Sequence, residues 1–365
     1  MSAITVGGDL VHYEVLGRGR SVVLLHGWVG SWRYWVPSMQ HLHLKFKVYA
    51  VDLFGFGDSA KNPRRYGMDE QVRMVIEFLR MLQLRKVAVV GHGLGAWVAA
   101  ELARRSPDVI ARMMLISTPL FTPPDLSNRQ SPSRAIASPI NRAEGDADKT
   151  IYNVDEFRRD APLASLGRGG YDDKPISRPR QPKIADPADP TLPNARLINR
   201  AQLEKAALAA SSREVIPAFM KTNEDNPLYK LLSNQEPSVL LNRTFRRQDT
   251  QYEKLAQDVS RTDTRVLTET AAHYDPGAIL DALRVLSMPV MLVHGMSDPL
   301  IAPPEEAVWN YLTQEKEDLC VPVPVPAGHF PMYEYYSFPR MLGGFLDAPD
   351  ISKLEIKERW RRRSR

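Results

Sequence analysis

Along the first 118 residues, short apolar runs alternate with stretches of helical spacing. Runs rich in β-forming residues at Val11 to Leu16, Ser21 to Leu25, Lys45 to Leu53, Lys86 to Val90 and Ala111 to Ile116 predict strands. Between the later runs, Val72, Val75, Ile76, Leu79 and Leu82 recur at helical spacing within Met68 to Leu84, and Gly95 to Arg105 is rich in Ala, Leu and Val. Val87 to Val90 is apolar without interruption, as a parallel strand covered on both faces requires. Alternation of this kind predicts an α/β class: a mostly parallel sheet flanked by helices.

The alternation stops at Pro119 and resumes at Pro289, with strands expected at Met291 to His294 and Val321 to Val325 and a helix around Met341 to Leu346. Between these points, 119–194 is rich in proline, with 12 in the 75 residues from Pro119 to Pro193, and reads as extended loop. From 195 to 286 helical spacing returns, with Leu197, Leu203, Leu208, Ile216, Phe219, Leu231, Leu232, Leu240, Leu241, Leu255, Val259 and Leu267 as candidate buried positions. The expected organisation is a core from 1–118 and 287–350, a helical cap inserted at 119–286 after the sixth strand, and a basic tail at 351–365.

The chain has 365 residues, 43% hydrophobic and 25% charged, which fits a globular protein and excludes disorder as the main state, collagen and coiled coil. Its net charge of +5 resides in Lys357 to Arg365, KERWRRRSR, with six basic residues and one acidic. Met1 to Ile356 is therefore neutral, which argues against a nucleic-acid partner. The tail permits weak contact with an anionic surface, or is simply a solvated helix end. One cysteine, Cys320, rules out an intrachain disulfide and a zinc site of clustered thiolates. No secretory pattern opens the chain, and no apolar run approaches the roughly 18 residues of a membrane span, so a soluble, cytoplasmic protein is expected.

Five stretches carry chemistry: Val22 to Trp28 (VVLLHGW), Asp52 to Ser59 (DLFGFGDS), Val89 to Ala96 (VVGHGLGA), His294 to Leu300 (HGMSDPL) and Ala327 to Glu334 (AGHFPMYE). In these stretches and in their order the chain resembles the α/β-hydrolase fold family, over about 1–118 and 287–348. The resemblance implies an α/β-hydrolase fold with a nucleophile elbow at Gly91-His92-Gly93-Leu94-Gly95, between strand and helix. The elbow's flanking glycines are present, but position 93, where the family has a nucleophile, is Gly93. The resemblance further assigns an orienting acid to Asp298, a general base to His329, and two oxyanion donors to the backbone N–H groups of Trp28 and Leu94. His26, Gly27, Trp32 and His92 are candidates for the surroundings of the substrate, with His26 and His92 also suited to packing and turn roles. Tyr34 and Trp35 could line a pocket or belong to the core. His12, His41, His43 and His273 show no role in the sequence, and Cys320 reads as buried and inert.

No metal-ligand spacing, phosphate loop or dinucleotide fingerprint occurs, so neither metal nor cofactor is expected. Two functions follow from a dyad without a nucleophile. One is a small-molecule hydrolase for an apolar ester, lactone or similar carbonyl compound, with His329 acting directly on water or substrate. The other is a pseudo-hydrolase that binds a ligand or protein through the old site.

Overall fold

The computed structural model describes residues 2–129, 225–314 and 319–349, all within one compact unit. Most of the proline-rich stretch, five of the candidate cap positions (Leu197, Leu203, Leu208, Ile216 and Phe219) and the basic tail lie outside the described residues.

Eight strands form one sheet: β1 (Ser2–Val6), β2 (Asp9–Gly17), β3 (Arg20–Leu25), β4 (Phe46–Val51), β5 (Val87–His92), β6 (Ile110–Ile116), β7 (Val290–Gly295) and β8 (Cys320–Val325). They lie in the order β1-β2-β4-β3-β5-β6-β7-β8, with β2 antiparallel to both β1 and β4 and every other pair parallel. Burial follows position. Every residue of β5 and β7 is buried, whereas β1 alternates, as an edge strand with one wet face does. Pro322 and Pro324 are tolerated in β8 because it is the opposite edge and need not donate to a further strand.

The strand order reverses at β3, which has β4 on one side and β5 on the other. The loops leaving β3 and β5 at their carboxyl ends therefore stand at the switch point of the sheet, the usual place for a ligand in an open α/β sheet. Helices α1 (Val36–Leu42), α2 (Met68–Met81) and α3 (Leu94–Arg105) belong to the first half of the chain. Between β6 and β7 the described residues form α4 (Pro227–Leu232), α5 (Pro237–Thr244), α6 (Tyr252–Val259), α7 (Arg265–Ala271) and α8 (Pro276–Val285), followed after β7 by α9 (Glu306–Thr313), α10 (Pro331–Glu334) and α11 (Phe338–Asp347). The insertion thus follows the sixth strand. Leu232, Leu240, Leu241, Leu255, Val259 and Leu267 are buried as their spacing predicts, while Leu231 is half-buried.

Three side chains tie α6 to α8 and their connections to the first half. Trp28 Nε1 donates to Thr270 Oγ1 at 3.0 Å, Arg33 pairs with Asp258 at 3.1 Å, and the Tyr274 hydroxyl donates to the Pro119 carbonyl. None of the helices among the described residues is long and apolar enough to cross a membrane.

Candidate active site

The turn from β5 into α3 is set by its glycines. A Cβ on Gly91 would overlap the Gly95 carbonyl oxygen, and one on Gly95 would overlap that of Leu25, so strand and helix approach at a distance no other residue permits. Gly93 adopts φ 51° and ψ −110°, a conformation that strains any residue with a Cβ. Its N–H donates to the Ile116 carbonyl at 2.9 Å and its carbonyl accepts from Ala96 and Trp97. The elbow keeps its backbone although it carries no side chain. A Cβ at Gly93 would lie 3.3 Å from Trp28 Cε3 and 3.4 Å from the Gly27 Cα, so position 93 faces the loop that leaves β3.

Asp298 and His329 meet as the sequence predicts. His329 Nδ1 donates to Asp298 Oδ2 at 2.8 Å, and both side chains are almost wholly buried. The other carboxylate oxygen, Oδ1, accepts from the N–H groups of Leu300 and Ile301, each at 2.9 Å. Burial by itself would raise the Asp298 pKa, but the charge of His329, its hydrogen bond and that from Ile301 outweigh it and hold the carboxyl well below its ordinary range. With Nδ1–H committed to Asp298, Nε2 is the ring nitrogen left for another partner, and it is buried without a hydrogen bond. The backbone N–H groups of Trp28 and Leu94 likewise have no acceptor among the described residues.

Histidine 92 has a role the sequence does not display. Its Nε2–H donates to the His329 carbonyl at 2.8 Å, which leaves Nδ1 to accept from the Tyr34 hydroxyl at 2.9 Å, while that hydroxyl accepts from the Gly27 N–H at 2.6 Å. Burial, reinforced by the charge of His329, drives the His92 pKa far down and keeps the ring neutral, as this donor pattern requires. A buried chain therefore joins the β3 loop, the elbow and the His329 loop. Two more groups fasten the His329 loop: Ser117 Oγ donates to the same carbonyl at 3.3 Å, and the Glu334 carboxylate accepts from the N–H groups of Gly328 (2.6 Å) and Phe330 (2.9 Å). Ser117 itself has a left-handed φ of 46°.

Of the other residues expected around the substrate, His26 is fully buried; its Nδ1–H donates to the Gly27 carbonyl at 2.8 Å and its Nε2 accepts from the Leu53 N–H at 3.0 Å. His26 thus braces backbone through both ring nitrogens, and His92 braces the His329 carbonyl through one and the Tyr34 hydroxyl through the other. Gly27 adjoins position 93, whereas Trp32 sits toward Asp52, which accepts its N–H at 2.8 Å, with its ring beside His12 and Arg33. Tyr34 and Trp35 are core residues. His12, silent in the sequence, pairs through Nδ1 with Asp52 at 2.9 Å, and the Asp52 carboxylate also accepts the Asp58 N–H at 3.0 Å. Asp52 thereby holds three segments together beneath the β3 loop. Alternation along β2 does not single out His12, since it and its neighbour Val11 are both buried, and nothing in the sequence links residue 12 to 52.

Comparison with known proteins agrees with the fold. The sequence profile described as the alpha/beta hydrolase fold matches residues 20–168. A soluble epoxide hydrolase of Corynebacterium sp. (strain C12) is 35% identical over 111 residues, 30% of this chain and 39% of that protein. The matched stretch covers less than half the length of each of the foremost curated relatives. Among solved structures, the enol-lactonase from Burkholderia xenovorans LB400 superposes over 95% of this chain and 100% of its own, with a TM-score of 0.53 at 16% identity. The N-acyl homoserine lactonase AidH, solved as a serine-to-glycine mutant in complex with N-hexanoyl homoserine lactone, covers 94% and 96% with a TM-score of 0.54 at 17% identity.

Proposed function

Because this chain belongs to the α/β-hydrolase fold family, we propose that it hydrolyses a small apolar carbonyl compound, an ester or lactone, with His329 as general base toward water and no acyl-enzyme. The observation that carries this reading is His329 Nε2, buried, unpartnered and backed by Asp298. In the first step Nε2 takes a proton from water while the water oxygen bonds to the carbonyl carbon. The oxygen of the former C=O gains the electron pair and is held by the Trp28 and Leu94 N–H groups. Collapse of this intermediate re-forms C=O and breaks the bond to the leaving alkoxide, which takes the proton back from His329. Asp298 keeps the imidazole in its working tautomer and stabilises the imidazolium between the two steps.

The substrate class draws on the relatives, whose names speak of epoxide and lactone hydrolysis. The test is turnover of a panel of short esters and lactones by the full chain and by His329→Ala. Loss of about 10²- to 10⁴-fold in kcat/KM is expected for the variant; equal rates would end the general-base reading. A fluorophosphonate should label neither protein, since the elbow has no hydroxyl.

Gly93 favours a second reading, a pseudo-hydrolase that binds a ligand without turning it over. Activity absent from wild type on every ester and lactone, yet present in Gly93→Ser, would support it: the site would then be intact and only its nucleophile missing.

A further inference from the structure

We propose that the edge of the sheet where β3, β4 and β5 begin is a docking face for an anionic lipid bilayer, shared with the basic run that follows the described chain. Three parallel strands start side by side there, in the order β4, β3, β5. Basic residues lead into each: Arg18 and Arg20 at the start of β3, Lys45 and Lys47 around the start of β4, and Arg85 and Lys86 before β5. All six are exposed. The register places Arg20 opposite Phe46, and so beside Lys45 and Lys47, while Arg20 and Lys86 each stand two residues before the paired Val22 and Ala88. Neighbouring strands lie about 4.8 Å apart, so these charges act together within a Debye length of about 10 Å.

Only part of this charge is answered within the protein. Asp347, the last residue of α11, pairs with Arg20 at 2.8 Å and Lys45 at 2.7 Å, whereas Arg18, Lys47, Arg85 and Lys86 have no carboxylate partner among the described residues. The acidic residues that lead into strands, Asp108 before β6 and Glu315, Glu317 and Asp318 before β8, belong to the other half of the strand order, so the charge is one-sided in a body that is neutral as a whole. Exposed aliphatic side chains stand among the cations: Leu44, 77% exposed, directly before Lys45; Leu16, two residues before Arg18; and Met81, four residues before Arg85. Cations interspersed with aliphatic tips fit the boundary between anionic headgroups and acyl chains. A single-stranded nucleic acid would instead stack on aromatic faces, and Phe46 and Tyr49 of β4 are buried. The rest of the chain extends the same face. Asp347 fixes the end of α11 at this edge, the described residues stop at 349, and Lys357 to Arg365, with its net +5, begins eight residues on, a link of at most about 28 Å. The loops of the candidate site leave from the opposite ends of these parallel strands, so a molecule docked by this edge keeps that site toward the solution. The inference requires no turnover.

Each basic residue near an anionic surface tightens binding about fivefold, so the four unpaired edge residues and the tail supply comparable shares, and the loss of either share releases the protein. The experiment is flotation of the full chain with phosphatidylcholine vesicles, with and without phosphatidylserine, at low salt. Retention is expected only with phosphatidylserine. Arg18→Gln, Lys47→Gln and Lys86→Gln combined should weaken it about 100-fold although the tail is intact. Arg64→Gln, Arg246→Gln and Arg247→Gln combined remove the same charge from exposed positions outside this edge and should weaken it by less than about fivefold. Leu44→Ser should weaken vesicle binding by about tenfold, the worth of one aliphatic side chain taken out of water, and leave binding to a duplex oligonucleotide as it was. Circular dichroism checks that each variant is folded. Equal retention by both kinds of vesicle, no retention of folded wild type, an edge variant that binds like wild type, or equal losses in the two triple variants would each overturn the inference. Vesicle binding untouched by Leu44→Ser would overturn it too, and would assign the edge to a polyanion such as nucleic acid.

Discussion

At position 93 the elbow poses a steric question with a quantitative answer. A side chain there meets the Trp28 ring at 3.3 Å and the Gly27 Cα at 3.4 Å, distances that a shift of a few tenths of an ångström relieves. The backbone at φ 51° costs any residue with a Cβ about 1–3 kcal/mol. Gly93→Ser should therefore fold, be less stable by about 1–3 kcal/mol in chemical denaturation, and become reactive toward a fluorophosphonate at the introduced hydroxyl alone. Gly95→Ala is a sharper case, because its Cβ would overlap the Leu25 backbone carbonyl, which cannot rotate away. It should cost about 3 kcal/mol or more, at the upper end of overpacking substitutions. Equal stability of the two variants would show that the approach of α3 to β3 is looser than these contacts require.

The loops that carry the site are held by side chains distant in sequence. Tyr34 bridges the Gly27 N–H and His92, both buried, so Tyr34→Phe leaves one donor and one acceptor unsatisfied. A loss of about 2–3 kcal/mol is expected in urea unfolding. Asp298 adds a pH dependence of known sign. Its folded pKa is depressed, so its contribution is complete above the unfolded value of about 4 and is lost as pH falls toward the folded value. Asp298→Asn keeps an acceptor for the Leu300 and Ile301 N–H groups but loses the charge. The stability gap between wild type and this variant should be constant from neutral pH down to about 4 and narrow below it; a gap that widened in acid would contradict the pairing. These links mark the limit of what the chain discloses when read in one dimension. Uninterrupted apolar runs revealed β5 and β7, and short motifs located Asp298, His329 and the elbow. The brace of His329 by His92, Ser117 and Glu334 joins positions up to 237 residues apart, and hydroxyls, imidazoles and carboxylates carry no address in a sequence. β1 escaped for a related reason: five alternating residues become a strand only through pairing with β2.

Charge is a property of the whole molecule, and here it separates from the site. Met1 to Ile356 carries 42 charges of each sign, and the +5 belongs to Lys357 to Arg365. The groups of the candidate site lie at the carboxyl ends of β3, β5 and β7 and after β8, buried from solvent and from its ions. Electrostatic attraction from a run of like charges decays over about 8 Å at physiological salt, so the basic run is expected to act on external anionic partners rather than on buried groups. Removing residues 357–365 should accordingly abolish retention of the protein by phosphatidylserine vesicles at low salt, where each basic residue near an anionic surface is worth about 1 kcal/mol. The intact chain should be released from the same vesicles as salt rises. Ester turnover should be the same with and without the segment, because it does not depend on the segment's charge. Truncation that altered turnover would mean that the basic run reaches the site, and vesicle binding that survived truncation would place the attraction in the neutral body instead.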